Sequence, residues 1–554
     1  MEVNKNRRKF LTYVGTGVTA MTVASTGLGS VLSSDTVNAQ ENAEFKASSH
    51  LFGKEKRVAS LNFTPIQPSK EDEVILPKGY KYDVIAAYGD VINNKGEKFG
   101  FNNDFTMYLP INGSNRHGLL WVNHEYSSEV FVSGPKKNGA FSQEQIKKIL
   151  EVQGGSIIEI ERDSEGVWKM NTDSKYARRI DGFTPFELRG PARGSEAVNG
   201  AKMAQGTFAN CSGGRTPWNT VLSCEENFEE TAADAGLDDT HYGWVVEIDP
   251  FDPNFQPRKH TALGRFNHEN AAVGTTKDGR LVVYMGDDKK DAGVYKYISK
   301  DKYVESRGKE NSKLLEEGTL YVADMKQGRW LPLTIEEVRK AADGNAELLE
   351  KFQTQADVCV HTHEAAMLIG GTPTDRPEDV EISPFDRSIF IAHTNNDRHG
   401  NIHGHVTRFI EKDNDLGSLE FHFEIFAAGG PQSGFSAPDN LSFDSDANLW
   451  TVTDISSGSL NKNVFTPFAN NGVFVIPTVG EHAGEAYQFA SAPVEAEMTG
   501  PWFTPDETTL FLSVQHPGEM TEDFHHPTSM WPHRAGDNMP RPAVIAITGF
   551  KYEF

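Results

Sequence analysis

The sequence has few cysteines and too little positive charge to balance its acidic residues. Its three cysteines, Cys211, Cys224 and Cys359, are an odd number and exclude a fully paired disulfide framework. Asp and Glu total 78 against 54 Lys and Arg, a formal net charge of −24. So acidic a chain argues against nucleic acid and anionic membranes as partners. An anionic substrate would need bound cations to supply local positive charge.

Two common zinc signatures are also absent. The chain contains no H-E-x-x-H and no paired C-x-x-C, which excludes the usual zinc-protease and zinc-finger readings. Composition is otherwise that of a globular protein, with 38% hydrophobic and 24% charged residues, so disorder is not expected. Glycine, with 50 residues, and proline, with 27, fit many short strands joined by tight turns.

The N-terminus lacks an apolar run strong enough for a membrane span. Arg7 and Arg8 precede a Gly/Thr-rich apolar stretch over 13–32, and Val37–Ala39 offers small residues for cleavage. This order predicts a Tat-type signal peptide over residues 1–39, with the Tat translocon as a transient partner. We expect a periplasmic or extracellular protein without stable membrane insertion. An uncleaved anchor or a chance arginine pair is the alternative.

After a polar lead-in segment over residues 40–75, one pattern recurs six times: a turn, a short apolar run, and a polar end. The runs are Leu119–Val122, Thr220–Leu222, Leu281–Tyr284, Ile389–Ile391, Leu449–Val452 and Leu510–Val514. Six such units predict an all-β fold, a six-bladed β-propeller with helical and loop insertions over residues 76–554. A β-sandwich is the alternative. Residues Thr334–Gln353 are rich in helix formers and predict a helical insertion that Thr334 caps.

The polar ends of these runs are the candidate ligands. If the repeated strands line one channel, their ends converge on a single site. Glu226 follows the second run, while Asn123, Glu125, Asp439 and Asn440 are assigned from their positions beside strands. Oxygen-rich ligand sets suit Ca²⁺, and sets that mix carboxylate, imidazole and thiolate suit iron or zinc. For the pair Glu225-Glu226, a solvent-exposed rim is an equally good explanation.

Three further features bear on chemistry. Cys211 lies in the stretch Asn210–Trp218 and offers a thiolate ligand, although a buried free cysteine is more often a small hydrophobe. Glu269 belongs to the pair His268-Glu269, which repeats the pair His124-Glu125 at the end of the first run. Arg376 lies among carboxylates in Thr372–Asp379, where a guanidinium could grip phosphate with two parallel hydrogen bonds. A surface turn with a local salt bridge is the alternative for Arg376.

After the twin-arginine leader, the chain contains an ordered set of motifs that includes NCSGGRTPWNTVLSCEENF, LGRFNHENA, VVYMGDDKKDAGVYKYI, TPTDRPEDV and FSAPDNLSFDSDANLWTVTD. From about residue 50 to the C-terminus, this set resembles the PhoX family of bacterial alkaline phosphatases. The resemblance implies a six-bladed propeller whose active site, at one end of the channel, holds an iron- and calcium-containing cluster and hydrolyses phosphomonoesters.

Carried over by motif, the resemblance gives Cys211 as the thiolate ligand to iron and Arg376 as the phosphate-gripping arginine. It implies that Glu226, Glu269 and Glu378 bind or bridge the metals. Asn396 would be a second phosphate contact. The stretch Asn395–His405 is rich in histidine here, where family members carry Pro, Arg and Tyr.

Together these features predict an exported, monomeric, metal-dependent phosphatase that releases inorganic phosphate from small phosphate esters. No serine or threonine lies in a phosphatase-like nucleophile motif, so we expect a metal-held oxygen to attack. One alternative is a calcium-dependent propeller hydrolase of a phosphodiester, phosphotriester or lactone. The other is a non-catalytic propeller that binds a metal or a partner protein.

Overall fold

Each of the six apolar runs lies in a strand that is buried on both faces. The computed structural model of the chain describes residues 61–550. In the strand Arg280–Gly286, Leu281 and Val283 pack into one apolar cluster, and Val282 and Tyr284 pack into the next. Because both faces of such a strand are buried, it needs apolar side chains on both, and the sequence therefore shows a continuous apolar run.

These strands belong to six sheets of four or more strands each. Strand β1 is Lys81–Ala87 and joins the sixth sheet. The first sheet contains β2 (Asn103–Pro110), β3 (His117–His124), β4 (Gly154–Arg162) and β5 (Trp168–Asn171), with β6 (Arg178–Ile180) beside β4. The second contains β7 (Pro185–Arg189), β8 (Met203–Gln205), β9 (Asn210–Arg215), β10 (Val221–Glu225), β11 (Val245–Ile248) and β12 (Arg258–His260), in the order β8-β7-β12-β11-β10-β9.

The third sheet contains β13 (Ala272–Thr275), β14 (Arg280–Gly286), β16 (Val294–Lys302), β17 (Gly318–Asp324) and β18 (Arg329–Pro332), and a two-stranded sheet beside it pairs β15 (Lys290–Ala292) with β19 (Thr374–Asp375). The fourth contains β20 (Pro377–Ile382), β21 (Ile389–His393), β22 (His405–Glu411) and β23 (Phe421–Ala428). The fifth contains β24 (Pro438–Phe443), β25 (Asn448–Thr453), β26 (Gly472–Pro477) and β27 (Tyr487–Ser491). The sixth contains β28 (Glu497–Phe503), β29 (Thr509–Gln515) and β30 (Ala543–Thr548), and β1 pairs antiparallel with β30.

Neighbouring sheets share their apolar cores in chain order. One cluster joins the first sheet to the second through Trp121 and Val246, and corresponding clusters join each later sheet to the next. The sixth sheet packs against the first through Phe511 and Leu120. The fold is therefore mostly β, with six sheets of four or more strands among the described residues, whereas a β-sandwich has two sheets.

The apolar run lies in the second strand of each sheet, not in the first. The strands β2, β9, β13, β20, β24 and β28 contact one another in succession, and β28 also contacts β2. The expectation that the repeated strands line the centre is therefore wrong by one strand. The first strands show no run of this kind in the sequence, either because they are short of apolar residues, as in Asn210–Arg215, or because polar residues and an extra residue interrupt them, as in Pro438–Phe443.

The predicted helical insertion is two helices and not one. The helices are α1 (Gln143–Val152), α2 (Phe228–Ala235), α3 (Ile335–Ala341), α4 (Ala346–Lys351), α5 (Gln355–Val360) and α6 (Thr362–Leu368). Thr334 caps α3 by accepting from the Glu337 backbone N–H, as predicted. Gly344, with φ of 81°, then breaks the helix, and Asn345 caps α4.

The predicted signal peptide and the first part of the lead-in segment lie outside the described residues. From residue 61 to 75 the lead-in segment follows the edge of β27, where the Ile66 N–H donates to the Gln488 carbonyl over 3.0 Å and Ile75 pairs with Ser491. None of the helices in residues 61–550 has the length and apolar character needed to cross a bilayer.

Candidate metal centre and phosphate site

An extra residue interrupts the pairing of the first strand with the second in each of the six sheets, as a β-bulge within the first strand of five and just ahead of β13 in the third, between the His268–Asp287 bridge and the Ala272–Tyr284 pair. Asn103 pairs with His124, and Thr106 pairs with Val122, so three steps along β2 match two along β3. The same extra residue separates Pro377 from Val380 in β20. The residues inside or beside the six bulges include Asp104, Cys211, Glu269, Glu378, Asp439 and Gly500. A bulge re-aims a side chain, and here five of the six bulges present a metal-binding group.

These groups lie close enough together to share cations. The Cys211 Sγ is 3.2 Å from Glu269 Oε1 and 3.5 Å from Asp104 Oδ2. Three overlapping sets each keep one ligand atom per residue within 4.8 Å of the others: Asp104, Glu125 and Cys211; Cys211, Glu226 and Glu269; Glu269, Glu378 and Asp439. Cys211 and Glu269 each belong to two sets, so the three sets form one continuous cluster.

The ends of the second strands supply the remaining members of the cluster. Glu125 directly follows β3 and Glu226 directly follows β10. Asp288 and Asp454 lie just beyond the ends of β14 and β25, and Gln515 ends β29. The Gln515 amide donates to Asp104 Oδ2 and to Glu125 Oε2, each over 2.8 Å, and so joins a bulge residue to a strand end. First-strand bulges and second-strand ends thus meet at one site.

The cluster requires positive charge. Burial raises the pKa of Glu125 to about 7 and, with the added repulsion of Asp454, raises that of Glu497 to about 8. Burial and then neighbouring carboxylates also raise the pKa values of Asp104, Glu226, Glu269, Glu378 and Asp439 well above normal. Burial followed by Asp104 and Glu269 raises the pKa of the Cys211 thiol. Without cations these groups would hold protons, and bound metals would let them ionise.

Several buried polar atoms at the cluster have no protein partner among residues 61–550. They are Asp104 Oδ1, Glu269 Oε2 and the carboxamide atoms of Asn102 and Asn103. A buried polar group without a hydrogen bond is costly, so these atoms suit ligands or ordered water. The donor set of one thiolate with many carboxylates fits iron, and its oxygen-rich part fits calcium.

Arg376 faces the cluster from its edge. Its Nε and Nη2 donate to Asp288 over 2.9 and 2.7 Å, its Nη2 lies 2.5 Å from Glu378 Oε1, and its Nη1 donates to Asp454 over 3.3 Å. Arg376 has a φ of 55°, which L-residues other than asparagine and aspartate seldom adopt. The guanidinium is thereby held beside Glu378, one of the cluster carboxylates.

Two predicted ligands have their hydrogen bonds inside the protein. The Asn123 amide donates to the Cys211 and Ser212 carbonyls over 2.8 and 2.9 Å, and its oxygen accepts from Trp121 and Ser223. Asn440 donates to Glu269 over 3.3 Å and to Asp439 over 2.8 Å. Its oxygen accepts from the Gly500 N–H over 2.7 Å. Both side chains contact the cluster from behind.

Asn396 lies in a different polar group. Its amide donates to Asp291 over 2.9 Å and contacts His399 Nδ1 at 3.1 Å, while its oxygen caps the turn at the Arg398 N–H. These partners surround the β15–β19 pair and are not members of the cluster. The structure thus brings eight of the nine other predicted residues into or against the cluster and places Arg376 at its edge.

Five residues at or beside the cluster were not among the predicted site residues: Asp104, Asp288, Asp454, Glu497 and His516. Asp288, Asp454 and His516 each stand at the polar end of an apolar run, so the signal was present. Although burial lowers the pKa of His516, Glu519 and Glu497 outweigh it and raise the value to about 10. Asp104 carried no signal, because its strand has no recognisable repeat.

Behind the cluster lies a cavity of about 190 Å³. The first strands of all six sheets line it, with Phe105, Ser212, Ala271, Asp379, Asn440 and Gly500 among its walls. Each of these residues is next to, or two positions beyond, a cluster residue or lies in the sixth bulge. The bulges therefore separate the metal-binding groups from this central space.

A buried, cation-requiring cluster of carboxylates and one thiol, with an arginine at its edge, defines a metal-dependent site for an anion such as phosphate. The profile of the family described as Alkaline phosphatase PhoX matches residues 61–518. The chain belongs to this family of alkaline phosphatases and is a phosphatase.

One solved structure supports this assignment. The PhoX protein of Pseudomonas fluorescens, determined in complex with vanadate as a transition-state analogue, is 32% identical with a TM-score of 0.78, over 88% of this chain and 98% of that one. A Xanthomonas campestris gluconolactonase (10% identity, TM-score 0.31, 84% and 97% covered) and a Dyadobacter fermentans protein of unknown function (9%, 0.37, 85% and 99%) are too distant to inform fold or function. Among curated proteins, none matches the chain.

Proposed function

We propose that the chain is an exported phosphomonoesterase whose bulge-borne cluster binds iron and calcium at one end of a six-bladed β-propeller. The observation that carries the proposal is the convergence of Cys211 and the buried carboxylates on one site with Arg376 at its edge. The propeller assignment draws support from the six sheets, from the succession of cores between them, and from the pairing of β1 with β30. The phosphate specificity draws support from the family and from its vanadate-bound relative.

The residues would divide the metal-binding work by chemistry. Cys211 would bind iron through its thiolate, together with Glu226 and Glu269, the carboxylates of one of its two sets. The oxygen-only groups, which include Glu378 and Asp439, would hold calcium. Asp104 and Glu125 would complete the side next to Gln515. We assign Asn123 and Asn440 to positioning and not to ligation, because their amides are engaged with the protein.

Bound metals would neutralise phosphate oxygens and activate the attacking oxygen. The Arg376 guanidinium would bind two non-bridging oxygens of the phosphoryl group through Nη1 and Nη2, which would exchange their contacts with Asp454 and Glu378 for the phosphate while Nε stays on Asp288. Asp288 would keep the guanidinium directed at the cluster. The Thr394 hydroxyl, which donates to Glu378 over 2.8 Å, would hold the carboxylate beside the arginine. Asn123 would fix the Cys211 backbone and so the direction of the thiolate.

A substrate panel tests the reaction class. Purified, metal-replete protein should hydrolyse a chromogenic phosphomonoester at alkaline pH far faster than the corresponding phosphodiester, phosphotriester or lactone. A chelator should abolish this activity, and added iron with calcium should restore it. Full activity after chelation, or a preference for the diester, triester or lactone, would overturn the proposal. Size-exclusion chromatography with light scattering should give a monomer of the mature mass.

Export by the Tat pathway is a separate part of the proposal, based on the sequence alone. Replacing Arg7 and Arg8 together by lysine should leave the protein in the cytoplasm, because the pathway recognises the arginine pair. The readout is phosphatase activity and protein mass in cell fractions. Unchanged export of the double variant would refute this assignment without touching the catalytic one.

A further inference from the structure

The two-stranded sheet of β15 and β19 connects the two sides of the arginine site. Lys290 in β15 pairs with Asp375 in β19. Asp288, the bidentate partner of the arginine, lies two residues before Lys290, and Arg376 directly follows Asp375. The pairing of these short strands therefore sets the separation between Asp288 and Arg376. Two strands of three and two residues form too few backbone hydrogen bonds to hold that separation by themselves.

The His399 side chain spans the two strands, in addition to the Thr374 hydroxyl, which donates to the Ala292 carbonyl over 2.7 Å. The His399 Nδ1 lies 2.6 Å from Asp375 Oδ1, and its Nε2 lies 2.9 Å from Asp291 Oδ1. Asp375 belongs to β19 and Asp291 to β15, so the imidazole spans the pair from one carboxylate to the other. The His399 side chain is 14% exposed and Asp375 is buried, so the contact between them is shielded from solvent, while Asp291 is partly exposed. We call these three residues, Asp291, His399 and Asp375, the histidine clamp.

Two amides support the histidine clamp from outside. Asn401 Nδ2 donates to the second oxygen of Asp375 over 2.9 Å. Asn396 Nδ2 donates to Asp291 over 2.9 Å and caps the turn Asp397–His399 that carries the histidine. The histidine clamp is thus a built, mostly buried network and not a chance surface contact. It also accounts for Asn396, whose bonds lie here.

The backbone connects the histidine clamp directly to the phosphate site, because Asp375 is followed by Arg376. Arg376, which directly follows β19, has a φ of 55°, a conformation that an arginine adopts only when its surroundings enforce it. Asp291, with a φ of 69°, is the residue at which the register of β15 shifts. A loosened clamp would let Arg376 relax. Displacement of a binding group by about 1 Å is enough to lower a rate by orders of magnitude.

We propose that His399 is a positioning residue for the phosphate-binding Arg376, acting through the histidine clamp and the β15–β19 pair. The proposal rests on the proposed function, since it assumes that Arg376 binds the phosphoryl group. His399 does not itself touch the substrate. It affects the reaction only through the direction of the Arg376 guanidinium, so its effect should disappear when Arg376 is removed.

The test is a double-mutant cycle between His399→Ala and Arg376→Ala. His399→Ala alone should lower kcat/KM for a chromogenic phosphomonoester by about tenfold and raise the inhibition constant of vanadate by a similar factor. In the Arg376→Ala background, His399→Ala should change neither quantity by more than about twofold, because the residue through which it acts is gone. Iron and calcium content should equal that of the parent protein.

Two further variants complete the experiment. His403→Ala is the matched control from the same stretch, since His403 bonds Ser436 and packs on Phe465; it should match the wild type. Asp291→Asn weakens the other end of the histidine clamp and should lower kcat/KM by about threefold. Asp291 is 35% exposed, so this variant should fold and decides the matter if His399→Ala does not.

Three results would overturn the proposal. Equal losses from His399→Ala in both backgrounds would show a role independent of Arg376. Loss of metal would show that the histidine supports the cluster. Wild-type kinetics in both His399→Ala and Asp291→Asn would show that the histidine clamp is idle. Failure of the proposed function looks different, because the wild-type protein itself would then leave the phosphomonoester intact.

Discussion

Removing the cations should make the stability of this protein depend on pH in one direction. The cluster carboxylates are buried, and without metals the folded protein can keep them only as neutral acids. The unfolded chain, by contrast, releases their protons near pH 4.5. The cation-free protein should therefore become less stable as the pH rises, whereas the metal-loaded protein should not, because its carboxylates are already ionised on the metals.

Two residues give the smallest size that the effect should have, and the other buried carboxylates, whose pKa values are also raised, add to it. Raising the pKa of Glu125 from 4.5 to about 7 destabilises the cation-free fold by about 3 kcal/mol once the pH exceeds 7, at about 1.4 kcal/mol per pKa unit. Raising that of Glu497 from 4.5 to about 8 adds about 5 kcal/mol. Because the folded state binds more protons than the unfolded one, stability is full below pH 4.5 and falls until about pH 8.

Denaturant unfolding at pH 5 and pH 8.5 measures this effect. The protein is first stripped of metal by chelation and dialysis, and one half is then reloaded. The gap in unfolding free energy between loaded and stripped protein should be several kcal/mol wider at pH 8.5. In the Glu497→Gln variant, which has one titrating group fewer, this gap should widen less between pH 5 and pH 8.5. An equal gap at both pH values would show that the carboxylates do not carry the cost of metal removal.

Three further predictions concern single residues. Cys211→Ser should lower bound iron and phosphatase activity at least a hundredfold, since an alcohol is a poor iron ligand, while the buried Cys359→Ser control should keep both; metal analysis and a phosphomonoester assay decide. Arg376→Ala should lower kcat/KM by about 10²- to 10³-fold with the metals retained. A loss of metal in this variant would show instead that Arg376 supports the structure of the cluster. Lys259→Met leaves Glu225, its buried partner at 2.5 Å, unpaired and should destabilise the protein by about 3 to 5 kcal/mol in urea unfolding; unchanged stability would contradict the buried charge.

The second strands of the sheets could be predicted from the sequence, and the first strands could not. A second strand is packed between two neighbouring sheets and must be apolar at every position, so it stands out as a run. A first strand such as Pro438–Phe443 has polar residues toward the site and an extra residue at its bulge. The bulge breaks the alternation on which strand prediction depends.

The same physics explains which site residues were found. Glu125 and Glu226 directly follow apolar runs and were visible from the pattern alone. Cys211, Glu269 and Glu378 lie in or beside bulges; the local sequence marked Cys211 and Glu269 as candidates, and the resemblance to PhoX phosphatases gave all three their roles as metal ligands. Asp104 also lies in a bulge, but no matched motif contained it, and it was missed.

Asn396 shows the limit of transferring a role by motif. Its neighbours in this chain are histidines, and its amide is bound to Asp291 and the turn that carries His399. A motif match identifies an equivalent position, but the local hydrogen bonds decide which way the side chain is directed. Here they direct it to the histidine clamp.

The central claim is that the bulges of the first strands assemble one iron- and calcium-binding cluster that performs phosphate-ester hydrolysis. Elemental analysis of the purified protein, before and after chelation and after reloading, with phosphomonoesterase activity measured on the same samples, tests it most directly. Iron and calcium should both be present, activity should be lost as they are removed, and it should return when they are restored. Full activity in a sample free of both metals would contradict it.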